Sequence, residues 1–496
     1  MKYTISILLM LSVAISGFSK EGIKLPDLGS ASDQVLSEDQ ERQYRNQILQ
    51  QMHQYDVLVK DPIISSYVYH LGYRLAANSG KSNNDFEFFV IPYNIINASA
   101  YPGGLIVVYA GLFLETKTES ELAGVLAHEI AHVNQRHISR QIVKQKNSTI
   151  PFLLGLAAAL AAAQNSSSDD AGIAVAASAA AFQQQMSINF TRFNEYEADR
   201  IGIGILHASN LNPEGMAGFF STLMQKNRID PRFQIPEYLR THPLSVNRVA
   251  EARSRIKSLS KTEYYESSLY DFVKERLRVL TSEESGLEHY YRQRLTENQL
   301  QSDAIRYGYA LALTRANKPQ KALQELSRIE PTAETAHVLN HARVSALARV
   351  DSQLALQELD KLLEKSPSNA VLMELAVNVF VQHGDLSYRD RAVRLARDLT
   401  VLDSEKPHNF ELLSMASHHA VKIIQAGEAM ARREHLMGRN YRAARILRNL
   451  LREDLSYYQR AEISALITEY ELLITSAERK REIALESGSN RVSGFQ

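Results

Sequence analysis

Residues 121–132 read Glu121-Leu122-Ala123-Gly124-Val125-Leu126-Ala127-His128-Glu129-Ile130-Ala131-His132, and the last five spell H-E-x-x-H. On an α-helix, side chains four apart share a face. His128 and His132 can therefore grip one ion, and zinc is the usual ion for this spacing. Glu129 projects beside them, close enough to take a proton from a water that the ion activates. The neighbouring residues predict the helix independently of the motif. Thr118 is a good N-cap with Glu121 three positions on, the pattern of a capping box. Leu122, Val125 and Leu126 make an apolar stripe that faces a core.

Upstream, Phe86-Glu87-Phe88-Phe89-Val90-Ile91 and Leu105-Ile106-Val107-Val108-Tyr109 are β-rich runs. Between them Asn97-Ala98-Ser99-Ala100-Tyr101-Pro102-Gly103-Gly104 contains a Pro-Gly-Gly turn. Two strands just ahead of a metal helix suit a zincin, in which an edge strand receives extended peptide by β-addition. That edge is expected near residues 100–108. Ser37-Glu38-Asp39-Gln40 and Asp61-Pro62 mark two earlier helix starts. Downstream, His137 falls one position short of the third histidine in H-E-x-x-H-x-x-G-x-x-H, and Gln135 and Ile138 stand at that pattern's glycine and histidine positions. That arrangement is excluded, and His137 is expected on the surface of the same helix. Residues 150–182 are two Ala-rich apolar pieces around a polar interruption, each too short to span a bilayer. They read as a helical hairpin or lid beside the site, with peripheral membrane contact as the alternative.

A third metal ligand is expected from Phe193-Asn194-Glu195-Tyr196-Glu197-Ala198-Asp199-Arg200. A carboxylate from this later helix would complete a His₂Glu site with one open position, the catalytic-zinc arrangement. Glu195 and Glu197 point about 200° apart on a helix, so one of them can face the metal, and the chemistry alone leaves both in play. Asp199 shares a face with Glu195 and could accept a hydrogen bond from the distal N–H of a ligating histidine.

The set H-E-I-A-H, E-x-E-A-D-R-I-G, the upstream N-A-S-A-Y-P-G-G and the downstream Thr241-His242-Pro243 followed by Arg248 resembles the zinc metallopeptidase family of HtpX and the prenyl-protein (CAAX) endopeptidases. The resemblance covers roughly residues 35–260. It implies one zinc ion held by His128, His132 and Glu195, with Asp199 supporting a ligand histidine and Glu129 as general base. Ser99 stands where the family usually has Phe, and Tyr101 where Leu, Met or Val is common. The resemblance also puts His242 over the cleft, either as an oxyanion donor or as a fourth zinc ligand that closes the resting enzyme. Arg248 is then expected to hold that loop or to bind substrate carbonyls.

The rest of the chain sets the context. Its 496 residues carry 56 Lys+Arg and 56 Asp+Glu, for a formal net charge of zero. No basic field exists to draw in nucleic acid, so no nucleic-acid partner is expected. Residues 1–19 read as a secretory signal: Lys2, an apolar run from Ile5 to Ile15, and small residues Gly17 and Ser19 for cleavage. The chain has no cysteine, hence no lipid-attachment site and no disulfide framework. The expected destination is the periplasm of a Gram-negative bacterium. From about residue 300 the chain is Leu/Ala-rich, and Lys321-Ala322-Leu323-Gln324-Glu325-Leu326 recurs nearly intact as Leu354-Ala355-Leu356-Gln357-Glu358-Leu359. A period of about 34 is that of tetratricopeptide helix pairs, which stack into solenoids. His418-His419 lies there without acidic partners and reads as surface.

The expected fold is mostly α: an α+β zincin-like metalloprotease domain followed by an α-helical tetratricopeptide-type solenoid. The expected divisions are a signal peptide at 1–19, the protease domain at 20–260, a helical connection at 261–300 and repeats at 301–485. Signal, soluble protease domain and repeat tail together are similar to periplasmic members that work on outer-membrane β-barrel assembly. That likeness implies unfolded or stalled envelope proteins and the barrel assembly machinery as partners of the repeats. The rival reading is a non-proteolytic chaperone or assembly scaffold.

Overall fold

The computed structural model describes residues 36–80, 86–144, 192–229, 236–260, 262–297, 302–476, 478–480 and 482. The expected signal at 1–19 and the Ala-rich 150–182 segment, with the expected hairpin or lid, lie outside the described residues. Elements are numbered in chain order through the described residues.

The chain opens with α1 (Glu38–Gln54), where Ser37 and Gln40 form a reciprocal capping box. It continues in α2 (Pro62–Ala77), capped by Asp61 with proline in the first turn. A small sheet comes next: β1 (Glu87–Ile91), β2 (Ala98–Ala100) and β3 (Leu105–Tyr109), in the order β1-β3-β2. β1 runs parallel to β3 with Glu87 opposite Leu105, and β2 runs antiparallel to β3 with Ser99 opposite Val107. β3 is thus paired on both sides, so the edge expected at 100–108 is overturned for residues 105–108. The outer strands are β1 and β2, and of the expected range only Ala100 lies on an outer strand. The Pro102–Gly104 turn that joins β2 to β3 carries Gly103 at φ 77. A side chain at Gly103 would be strained by that backbone and would meet the α1 backbone at Glu41 O, 2.7 Å from an added Cβ.

The short α3 (Ala110–Glu115) leads to α4 (Glu119–Asn134), which holds H-E-x-x-H and is buried along nearly its whole length. Thr118 caps α4 by accepting from Glu121 N, but the Glu121 carboxylate accepts from Lys117 N at 2.7 Å rather than closing the box on Thr118. α5 (His137–Lys144) comes directly after it, and α6 (Arg192–Ala208) packs along α4. That approach is close: a Cβ on Gly202 would sit 3.2 Å from His128 N. α7 (Glu214–Ile229), α8 (Glu237–Thr241) and α9 (Val246–Ser258) complete the half that surrounds α4.

The remaining described chain is helical. α10 (Leu269–Thr281) packs on α2, α3 and α12 (Asp303–Arg315), and α11 (Leu287–Glu297) packs on α12. Beyond them come α13 (Pro319–Leu326), α14 (Ala336–Leu347), α15 (Ser352–Lys365), α16 (Ala370–His383), α17 (Leu386–Leu402), α18 (Pro407–His419), α19 (Ile423–Leu436), α20 (Asn440–Leu450) and α21 (Tyr457–Leu472). Each packs on the next in the chain, and α16 also touches α14 and α18. The twin segments noted in the sequence occupy like places: Ala322 and Ala355 are fully buried, as is Leu359. His418 and His419 are exposed at the end of α18. Among the described residues no helix is long and apolar enough to cross a membrane.

Candidate metal centre

Three separate pieces of chain supply the centre. α4 presents His128 and His132 one turn apart, α6 presents Glu195 from its first turn, and the residue that ends α8 is His242. All four side chains are buried, and one donor atom from each lies within 4.8 Å of the others. His132 Nε2 is 3.0 Å from His128 Nε2, and His128 Nε2 is 3.2 Å from His242 Nδ1. Glu195 oxygens stand 3.3 Å from His242 Nδ1 and 3.5 Å from the Nε2 atoms of His128 and His132.

These separations test the fit of a metal. A tetrahedral zinc site with arms of about 2.0–2.1 Å has donors about 3.3 Å apart. Imidazole nitrogens and a carboxylate are the donor types zinc takes, and here three ring nitrogens and one carboxylate converge on one point. The residues present therefore fit a zinc ion.

The surrounding groups hold these donors in place. His128 Nδ1 lies 3.0 Å from Asp199 Oδ1. Burial alone would lower the His128 pKa, but hydrogen bonds to Asp199 and Glu195 outweigh it and raise it to about 9. His132 goes the other way, pushed well below the usual imidazole value by burial and by the neighbouring His128 charge. Glu195 and Asp199 stay ionised: burial would raise them, and His242, His128 and Arg248 hold them below the ordinary carboxylate range.

Arg248, buried on α9, clamps Asp199 with Nε at 2.7 Å and Nη2 at 2.8 Å. Its Nη1 donates to Glu195 Oε2 at 2.8 Å and to the Pro243 carbonyl at 2.7 Å, next to His242 in the loop. Of its two expected tasks, this geometry fits loop-holding. The His242 ring stacks on Tyr238 at 4.8 Å, and its Nε2 is 3.4 Å from Glu129 Oε1. Glu129 is buried beside the four donors.

One expectation is overturned. His137 is buried, not on the surface, and it does not continue the metal helix. α4 ends at Asn134, Arg136 takes a left-handed φ of 54, and His137 opens α5. Its Nδ1 returns to within 2.9 Å of His132 Nδ1, and its Nε2 is 3.0 Å from Glu197 Oε2. Glu197 thus points away from the donor cluster, on the face opposite Glu195. The sequence names both residues but not their pairing behind His132, because nothing in Gln135-Arg136 announces a left-handed turn.

Comparison with known proteins agrees with this chemistry. Residues 64–256 match Peptidase family M48. A beta-barrel assembly-enhancing protease of Yersinia pestis is 31% identical over 83% of this chain and 84% of its own length. A protein of the same name from Escherichia coli K12 is 31% identical over 80% of this chain and 81% of its own. The mitochondrial metalloendopeptidase OMA1 of Arabidopsis thaliana is 25% identical over 39% of this chain and 35% of its own. At that coverage the likeness to the first two includes the metal centre and extends into the helices after it, and the chain belongs to peptidase family M48, as a metalloendopeptidase.

Proposed function

We propose that this chain is a periplasmic zinc endopeptidase acting on outer-membrane β-barrel proteins during their assembly, with its stacked helices as a tetratricopeptide-type surface for clients and for the assembly machinery. The observation that carries the catalytic part is the convergence of four buried donors with Glu129 beside them. The assembly role is supported by the two relatives named for that activity, each matched over four-fifths or more of this chain.

Zinc, when bound, would polarise a peptide carbonyl and make a nearby water acidic. His128, His132 and Glu195 would be its permanent ligands. Glu129 would take the proton from the attacking water and pass it to the leaving amine, a role worth about 10²–10⁴ in rate. The edge of β2 would align substrate by strand addition. His242 would be the fourth donor at rest, leaving no place for water. Its ring is stacked on Tyr238, and Arg248 grips the carbonyl of the next residue, so opening must break both contacts. A closed fraction of about 99% would lower turnover about 100-fold, and a client docked on the helical stack could shift that balance.

The test is hydrolysis of an unfolded polypeptide by metal-loaded protein. Glu129→Gln should keep its zinc and lose cleavage, and wild-type turnover in that variant would remove Glu129 from the mechanism. His242→Ala should cleave faster than wild type, including self-cleavage. If it is instead as inactive as Glu129→Gln, His242 serves the oxyanion. Full rescue of envelope defects by Glu129→Gln would favour the scaffold reading.

A further inference from the structure

We propose that His137 and Glu197 form a relay that positions the His132 ring for metal binding, an inference that rests on the zinc site proposed above. With the His137 ring neutral, the two contacts set the direction of each hydrogen bond. A carboxylate accepts, so His137 Nε2, 3.0 Å from Glu197 Oε2, carries the hydrogen. His137 Nδ1 is then the acceptor, and it faces His132 Nδ1 at 2.9 Å. His132 must donate from Nδ1, which leaves the lone pair of its Nε2 aimed at the donor cluster. Only this tautomer of His132 can bind a cation through Nε2.

Both ligand histidines on α4 are therefore backed from behind, by different means. His128 Nδ1 lies directly against Asp199 Oδ1 at 3.0 Å, and Arg248 holds that carboxylate. His132 donates to a neutral ring that a carboxylate in turn orients. The relay also accounts for two features with no other role in the site: the left-handed Arg136 that turns the chain back, and a second glutamate on the far face of α6. His137 and Glu197 are positioning residues that need not touch substrate.

The experiment measures zinc affinity by chelator competition and the visible absorption of the cobalt-substituted chain, both without substrate. His137→Phe keeps the ring volume and removes the acceptor, and should weaken zinc binding about 10–100-fold and shift the cobalt bands. His137→Asn offers an amide oxygen to His132 Nδ1–H and should recover most of that loss. Glu197→Ala should weaken binding in the wild-type background and add nothing on top of His137→Phe, whereas Glu197→Gln, which still accepts, should stay near wild type. Additive losses, or wild-type affinity and spectrum in both His137→Phe and Glu197→Ala, would overturn the relay while leaving the zinc site intact. A wild-type chain that binds no zinc would instead overturn the site itself. If His137→Phe does not fold, Glu197→Ala on the partly exposed end of the relay decides, and unchanged affinity there overturns the proposal.

Discussion

Arg248 ties together two carboxylates and a loop carbonyl from a position almost closed to solvent, and its guanidinium also lies 5.2 Å from the centre of the Phe220 ring. Burial disfavours its charge, yet its bonds to Asp199 and the nearby Glu195 more than offset this and keep it protonated. Arg248→Met would leave two buried carboxylates without their cation, at a cost of about 3–5 kcal/mol, and would free the Pro243 carbonyl. The expected result is a lower denaturant midpoint together with weaker zinc retention. A variant as stable as wild type would show that the clamp contributes little. At this scale the sequence was legible where one helix carries the whole signal, as in His128-Glu129-Ile130-Ala131-His132. It was ambiguous for Glu195 against Glu197, because helix geometry says that one of them faces the metal but not which. It was misleading for His137, whose place depends on one backbone angle at Arg136 that residue type does not encode.

Among the elements, α4 and the paired helices were readable from periodicity and caps, as the Ser37–Gln40 box and the Asp61 cap illustrate. β2 was not, since Ala98-Ser99-Ala100 has little intrinsic strand preference and is strand only because β3 pairs with it. The parallel pairing of β1 with β3 was equally hidden, because short runs do not specify direction. α18 carries a pH response. Burial would lower His408, but hydrogen bonds to Glu374 at 3.0 Å and Glu411 at 3.2 Å outweigh it and raise the pKa to about 9. Glu411, bound to His408 and near Lys60 and Arg433, falls from its ordinary 4.5 to about 2. A raised histidine stabilises fully below its unfolded value of about 6.5, and that contribution is lost as pH rises through about 9. The Glu411 contribution is present above 4.5 and lost as pH falls towards 2. The thermal midpoint should therefore fall between pH 6.5 and 9, and His408→Gln should flatten that limb. Matching profiles for the two proteins would contradict the assignment.

Across the whole molecule, one hydrophobic cluster runs from Val59 through the α4 surroundings to Ala346 on α14. Tyr270 of α10 stacks on Phe113 of α3 at 5.7 Å, and Arg276 of α10 pairs with Asp61 at 2.7 Å. Farther on, the turn after α19 returns to α1, where Arg439 donates to the Gln54 carbonyl. The proposed protease domain at 20–260 is thus packed against the helices C-terminal to it. A fragment ending near 350 should melt cooperatively and hold zinc, while one ending at 260 should be less stable, having lost the partners of Tyr67 and Phe113. Equal melting of the two would show that the core beyond 260 adds nothing. The helical character of the C-terminal half was legible in its Leu/Ala-rich composition. Its return onto α1 was not, because no local pattern records a contact between residues nearly four hundred apart. The central claim is that donors from α4, α6 and the loop after α8 close around one zinc ion. X-ray absorption at the zinc edge tests it most directly, comparing wild type with His242→Ala. Four nitrogen or oxygen donors at about 2.0–2.1 Å are expected, with three imidazoles in wild type and two in the variant. Two imidazoles in both would contradict it.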